Sequence, residues 1–509
     1  MDKSGSQSRE LFGHPIGLSI CFLTEMWERF SYYGMRTILI LYLTKYHLFG
    51  TERASLIYGA YAGLVYMMPI IGGYLADRYL GSRKAVTFGA ILLVLGHGLM
   101  GFHGPAAFMD GDTVVRNEFY LSLFFLALAL IITGVGFLKA NISTIVGSLY
   151  GPNDPRRDGG FTIFYMGINL GSIFATLLVG YIGEEYGWNY GFGLAGIGML
   201  IGLLVFLWGQ KYLDGLAESP APEVLKEKSP IGVSKELTIY LFGISLIGVS
   251  WVMIQYQELV GSLLGVSGIL MIAIILVYAF KQCEAQARGR LMVACFLIAI
   301  QSVFWALFEQ QAASLTLLAD QQFNLNFLGM NIKASQVQSL NPIIIVSFAM
   351  LFAWMWVALS KRGIEPSTPA KFSIAMLLIG VGYVVFAWGI SLDDSTEKSF
   401  LWLIFIYIAL TWAELCLSPV GLSMVTKLSP TRIVGLMMGT WFLFTALGNY
   451  VAGWISSLTG SGGHGADAGQ LDVNAVIDVY TQIGYYSIAV GLLILALTPL
   501  MKRHMHGVH

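Results

Sequence analysis

Seven ionisable side chains interrupt runs that are otherwise apolar. They are Glu25, Glu28, Arg29 and Arg36 in EMWERFSYYGMR, Lys139 in IITGVGFLKANIST, Glu309 in SVFWALFEQQ and Glu414 in ALTWAELCLSPVG. A charge at the centre of a membrane helix costs about 2.5–3.5 kcal/mol on insertion scales, so the first four facing lipid would cost roughly 10 kcal/mol. They must face something else. At 100° per residue, Glu25, Glu28, Arg29, Tyr32, Tyr33 and Arg36 fall on one stripe about 140° wide, with Met26, Phe30, Ile38 and Leu41 opposite. One face of this helix reads as the wall of a polar cavity. Intramembrane charges either pair structurally between helices or line a pathway. Here the cations Arg29, Arg36 and Lys139 all lie in the first half of the chain, while Glu309 and Glu414 lie in the second. A ligand held between the halves would meet positive charge on one side and negative charge on the other. That field suits a zwitterion with separated ammonium and carboxylate.

The elements that must position these groups are transmembrane helices. Of 509 residues, 56% are hydrophobic and 12% charged, with a mean hydropathy of +0.69; soluble domains carry nearer 25% charged residues. Apolar runs of about 20 residues, each long enough to cross a bilayer core, recur along the chain. Fourteen spans are read at 14–46, 54–80, 83–102, 119–147, 159–183, 189–212, 237–255, 259–281, 289–319, 334–360, 371–391, 399–427, 431–458 and 475–501. With a cytoplasmic N-terminus, only Lys45, Arg53, Arg116, Lys333 and Lys398 of the loop cations fall on the outer side. The positive-inside rule then places both termini in the cytoplasm. The opening MDKSGSQSRELFG has no signal-peptide core, so the first span serves as its own membrane signal. A net charge of −1 gives no basic field for nucleic acid. Cys21, Cys283, Cys295 and Cys416 fit neither a disulfide framework nor a metal motif.

The Pro-, Glu- and Lys-rich stretch from Asp214 to Glu236 reads as a cytoplasmic linker. It divides the chain into a six-helix bundle (1–213), a linker with an inserted helix pair (214–288) and a second six-helix bundle (289–509). The inserted pair carries no intramembrane charge and is expected to face lipid or a partner surface. Glycine is abundant, 59 residues, and pairs such as Gly59 with Gly63 and Gly167 with Gly171 permit close helix approach.

Two resemblances follow from the motifs. GGYLADRYLGSRK, residues 72–84, resembles the loop motif of the major facilitator superfamily. E-x-x-E-R-F-x-Y-Y-G from Glu25 to Gly34, FTIFYMGINLGSI at 161–173, LKANIST, the tryptophan–acid–Gln segment at 305–310, SLNP at 339–342 and SPVGLS after Glu414 together resemble the bacterial branch of the proton-dependent oligopeptide transporter family. The resemblance implies an all-α major facilitator fold and proton-driven import of di- and tripeptides by alternating access.

It also implies residue roles. Arg36 and Lys139 hold the peptide carboxylate and Glu414 faces the ammonium. Asn169 and Asn341 contact the backbone and termini, Tyr32, Tyr33 and Tyr66 line the site, Trp305 and Trp441 shape side-chain pockets, and Ser418 in SPVGLS joins the binding set. Glu25, Glu28, Arg29, Lys139 and Glu309 form the proton-coupling set, with Glu309 able to pair with Lys139. Arg53 and Asp320 are expected to make an outer gate. Protons are the coupling ion, no cofactor or metal is expected, and the chain is expected to be a monomer in the bacterial inner membrane.

Two departures matter. Animal relatives carry a histidine in the second helix, whereas the only histidine well inside a span here is His97, in the third. Some bacterial relatives have adjacent acids where Phe308 precedes Glu309. Coupling must rest on carboxylates. The alternative reading is a proton-coupled drug or small-molecule exporter of the same superfamily. Enzymatic activity is not expected, since no G-x-S-x-G, H-E-x-x-H or paired aspartates occur within spans.

Overall fold

The computed structural model describes residues 10–151, 154–213, 215–460 and 469–507. Thirteen helices among them are long and apolar enough to cross a membrane. They are α2 (Thr51–Leu80), α3 (Ser82–Met100), α4 (Glu118–Ser148), α5 (Arg157–Glu185), α6 (Trp188–Tyr212), α7 (Lys235–Gln255), α8 (Gln257–Gln282), α9 (Ala285–Gln322), α10 (Ala334–Lys361), α11 (Thr368–Leu392), α12 (Phe400–Leu428), α13 (Thr431–Ser457) and α14 (Val473–Met505). Preceding them, α1 (Ile16–Lys45) is 30 residues long and differs from the rest in its charges. All fourteen agree with the sequence reading to within a few residues. In hydrocarbon the backbone must satisfy its own hydrogen bonds, and helices do so within one segment.

The helices pack into two compact units that are discontinuous in sequence. The first takes the chain up to Ile38, Leu64–Pro105 and Arg116–Gln255; the second takes Leu39–Gly63, Ala106–Val115 and Tyr256 onward. The inserted pair is therefore shared out, α7 to the first unit and α8 to the second.

Within the first unit the helices close on glycines. A Cβ on Gly72 would run into the Gly136 carbonyl, so α2 and α4 meet backbone to backbone, and Gly171 of α5 lies against the Met26 carbonyl of α1. Helix α7 is fixed by Trp251 Nε1, which donates to the Ser122 carbonyl at 3.2 Å. The α2–α3 turn, carrying the facilitator-like motif, grips the linker. Gly81 adopts φ 78°, Arg83 pairs with Glu218, Lys84 reaches Glu236 at 2.6 Å, and Ser219 Oγ donates to the Tyr79 carbonyl. The linker thus lies fastened along the first unit and includes a short helix, Pro222–Lys226.

In the second unit, the N-terminal part of α2 packs on α13. Gly59 faces Gly453 and Ser55 Oγ lies 2.8 Å from Ser456 Oγ. Helix α8 sets Gly261 against the Tyr450 ring and exposes Leu263, Val266, Ile269, Leu270 and Val277 on its other side, as a lipid-facing helix should.

Candidate functional site

Each unit carries its own polar cluster. In the first, α1 buries the stripe expected from the sequence: Glu25, Glu28, Arg29, Tyr32 and Arg36 are each at most 6% exposed. Arg29 Nε lies 2.8 Å from Glu25 Oε1 and 2.5 Å from Glu28 Oε2, so one guanidinium serves two carboxylates. The Glu25 pairing follows directly from i,i+4 spacing. These are charge contacts with poorly aligned N–H groups, and Glu28 keeps both oxygens without an aligned hydrogen-bond donor among the described residues. Such a carboxylate can take a proton without breaking a hydrogen bond. The guanidinium of Arg29 also lies 5.5 Å from the Tyr32 ring centroid, and that of Arg36 lies 5.9 Å from Tyr33. The two tyrosine rings meet edge to face at 5.2 Å.

Lys139, on α4, holds its ammonium 3.8 Å from the centre of the Tyr66 ring on α2, a cation–π contact that replaces part of its lost hydration. Asn169, on α5, donates to the Tyr165 carbonyl at 3.0 Å and is 7% exposed. With all groups ionised, this cluster carries three cations against two acids.

In the second unit the acids sit on two helices. Glu414, on α12, accepts from Asn341 Nδ2 of α10 at 3.1 Å, and the same amide donates to Thr411 Oγ1 at 3.0 Å. Ser418 lies one turn further along α12. Glu309 is buried where α9 changes form: the α-helix stops at Phe308, a 3-10 turn spans Glu309–Ala312, and the α-helix resumes at Ser314. Carbonyls around that break find partners from other helices. Tyr383 donates to Leu307 at 2.7 Å and Tyr407 to Gln311 at 3.2 Å. Gln310 Nε2 bridges the Ala306 and Ala452 carbonyls at 3.0 and 2.9 Å. Trp305 stands edge-on to Phe308 at 5.3 Å. Trp441 packs its ring over Gly421, and its carbonyl accepts from Gln301 Nε2 at 2.9 Å.

Where α1 ends in the second unit, Asp320 pairs with Lys45 at 2.5 Å. This corrects the expected Arg53–Asp320 partnership. Arg53 lies in the first turn of α2, where its guanidinium stacks 5.1 Å from the Phe49 ring, whereas Lys45 ends α1 on a long stem that reaches the acid. Thr411, Gln301, Tyr383 and Tyr407 are polar neighbours of the candidate residues that sequence reasoning missed, and Gln310 entered it only as part of the 305–310 segment. Gln301 and Gln310 had a signal, as uncharged polar groups in an apolar run; the tyrosines had none. Among the described residues, no group of three or more His, Cys, Asp and Glu side chains is placed to hold a metal ion.

A membrane transporter built on buried, oppositely charged clusters is the class that this geometry defines. A family model described as POT family matches residues 83–467. The chain is 37% identical, over 97% of its length and 96% of the relative's, to a protein of Yersinia enterocolitica subsp. palearctica serotype O:3 named peptide transporter YePEPT. It is 36% identical, over 87% of its length and 89% of the relative's, to a di-/tripeptide transporter of Lactococcus lactis subsp. cremoris. A crystal structure of peptide transporter POT in complex with sulfate aligns with a TM-score of 0.84 at 35% identity, covering 98% of both chains. A POT family transporter in complex with a thioalcohol-conjugated peptide aligns at 0.81 and 29%, covering 97% of this chain and 98% of that one. The chain belongs to the POT family and has its nearly all-helical, multi-pass major facilitator fold.

Proposed function

We propose that this protein is a proton-coupled symporter that imports di- and tripeptides across a bacterial inner membrane by alternating access. It works as a monomer with both termini cytoplasmic. The observation that carries the reading is the division of charge: a surplus of buried cations in the first unit against Glu309 and Glu414 in the second. Peptides of every sequence share one carboxylate and one ammonium, so charges matched to those termini serve a whole class of substrates. Arg36 and Lys139 take the carboxylate, Glu414 takes the ammonium, and Asn169 and Asn341 bind the backbone. Tyr32, Tyr33, Tyr66, Trp305, Trp441 and Ser418 line the surrounding space. Relatives named for peptides weigh against the exporter reading.

Coupling rests on Glu25, Glu28, Arg29, Lys139 and Glu309. Protonation of Glu28 weakens the hold on Arg29, and a peptide carboxylate competes with the acids for the cations. Protons and peptide are then linked reciprocally: whichever state binds one better binds the other better too. Lys45 with Asp320 forms part of the outer gate. The test is uptake of radiolabelled dialanine into proteoliposomes with and without an inward proton gradient. Accumulation above equilibrium that collapses with a protonophore supports symport. Uptake that only equilibrates refutes the coupling, and no uptake by folded protein refutes the peptide site.

A further inference from the structure

In the second unit, the stripe of α12 that carries Glu414 continues past Ser418 to a glycine. At 100° per residue, Ser418 stands about 40° and Gly421 about 20° from Glu414, so the three share one face. Gly421 lies roughly 10 Å further along the helix axis than Glu414. What covers it is the indole of Trp441, from α13. A Cβ built on Gly421 would collide with Cη2 of that ring and stand 2.7 Å from Cζ2 and 3.1 Å from Cζ3, where carbon atoms rest about 3.5–4.0 Å apart. The far edge of the indole thus occupies the space that any other residue's side chain would need.

The other end of Trp441 is held as well. Its carbonyl accepts from Gln301 Nε2 at 2.9 Å and from Thr445 Oγ1 at 3.0 Å, and Gln301 is fully buried. Trp441 itself is 5% exposed. A ring whose backbone is tied to α9 and whose edge sits in a notch of α12 bars the gap between α12 and α13 at a set depth. We propose that Gly421 determines side-chain specificity by positioning Trp441: the missing side chain seats the indole against α12 and so fixes the room left for peptide side chains beyond Glu414 and Ser418. The inference rests on the peptide reading and adds to it a residue that acts only through another. A Cβ at position 421 displaces the indole by about 1 Å to restore ordinary contact. Close packing on the protein side offers no void to receive it, so the ring moves into the substrate space, where bulky side chains feel it first.

The experiment is counterflow exchange of the full chain in proteoliposomes with dialanine, Phe-Ala and Ala-Phe. Its readout is the ratio of each aromatic dipeptide's half-saturating concentration to that of dialanine, which a general loss of folded protein does not move. Wild type is compared with G421A, W441L and G421A/W441L. One methylene of misfit in an apolar pocket is worth about 10–200-fold in discrimination, so G421A should raise the ratio for at least one aromatic dipeptide roughly tenfold. W441L vacates the seat and should lower that same ratio; adding G421A to W441L should then change it by less than about twofold, because the two sites are coupled. Unchanged ratios in G421A, or an equal rise with and without the indole, overturn the proposal. Should G421A fail to fold, W441L decides: a ratio that does not fall in W441L overturns the proposal too. Absence of dialanine exchange by folded wild type is a different result, which refutes the peptide reading and this inference with it.

Discussion

Replacing Glu414 by Gln isolates one charge with little else disturbed. Glu414 accepts from Asn341 at 3.1 Å, and Asn341 also donates to Thr411. A carboxamide oxygen accepts the same bond, so α10 and α12 remain tied; only the negative charge is lost. A hydrogen bond to a charged partner is worth about 1.5–3 kcal/mol net and a neutral one about 0.5–1.5. The loss at a peptide ammonium is therefore roughly 1–1.5 kcal/mol, a rise of about five- to twelvefold in the half-saturating dialanine concentration. The assay is counterflow exchange in proteoliposomes, which needs no proton gradient and so separates binding from coupling. N-acetyl-dialanine has no ammonium, and E414Q should leave its half-saturation within about twofold of wild type. An equal rise for capped and free peptide would refute the assignment, as would no rise for the free one.

Other perturbations bear on other parts of the molecule. Glu309→Gln should abolish gradient-driven accumulation while leaving exchange measurable; full accumulation removes Glu309 from the coupling set. The charge swap K45D/D320K should restore the protection from thiol labelling that a cysteine introduced beside this pair loses in D320K alone, whereas adding R53D to D320K should not. Because the Lys45 side chain is 45% exposed, the pair is worth about 0–1 kcal/mol and the change in labelling should stay within roughly fivefold. Tyr383→Phe strands the Leu307 carbonyl at the α9 break, costing about 1–3 kcal/mol, visible as a lower melting temperature without a changed preference between peptides. Between α10 and α11, Lys371 beside Glu365 holds that carboxyl below its ordinary range; partial burial opposes this, and Ser360 and Lys427 add to it. A depressed folded-state value means stability that is present above the unfolded value and lost as pH falls through the folded one. Hydrogen exchange across residues 362–370, corrected for intrinsic rates, should therefore be equal at pH 7 and 6 and open only below the usual glutamate value of about 4.3. Opening between pH 6 and 7 would contradict the pairing.

The helical wheel of α1 was readable because burying five polar side chains leaves only one economical arrangement, a single stripe. The spans were readable because hydrocarbon permits few alternatives to a continuous helix. The α9 break was not. FWALFEQQAASL contains no Pro or Gly, so nothing local marks a helix interruption, and the turn persists through Tyr383, Tyr407 and Gln310 acting from or toward other helices. The partner of Asp320 was missed for a related reason. Lys45 and Arg53 have similar charge and sequence distance from it, and only the local stacking of Arg53 on Phe49 separates them. The sharing of α7 and α8 between units was likewise invisible, since both read as uncharged apolar spans.

That sharing has a consequence for recombination between relatives. The linker at 214–236 looks like the natural crossover, yet a chimera joined there would bring a foreign α7 against α4, where Trp251 must find the Ser122 carbonyl and Gly243 must fit Phe88 and Phe137. Joined at Tyr256, the same chimera inherits α7 with the helices it packs on, and α8 arrives with Tyr450 already shaped to Gly261. The better crossover in this chain is therefore the tight turn between α7 and α8, and the contacts that such a chimera must still match are those of α2 on α13, Gly59 with Gly453 and Ser55 with Ser456.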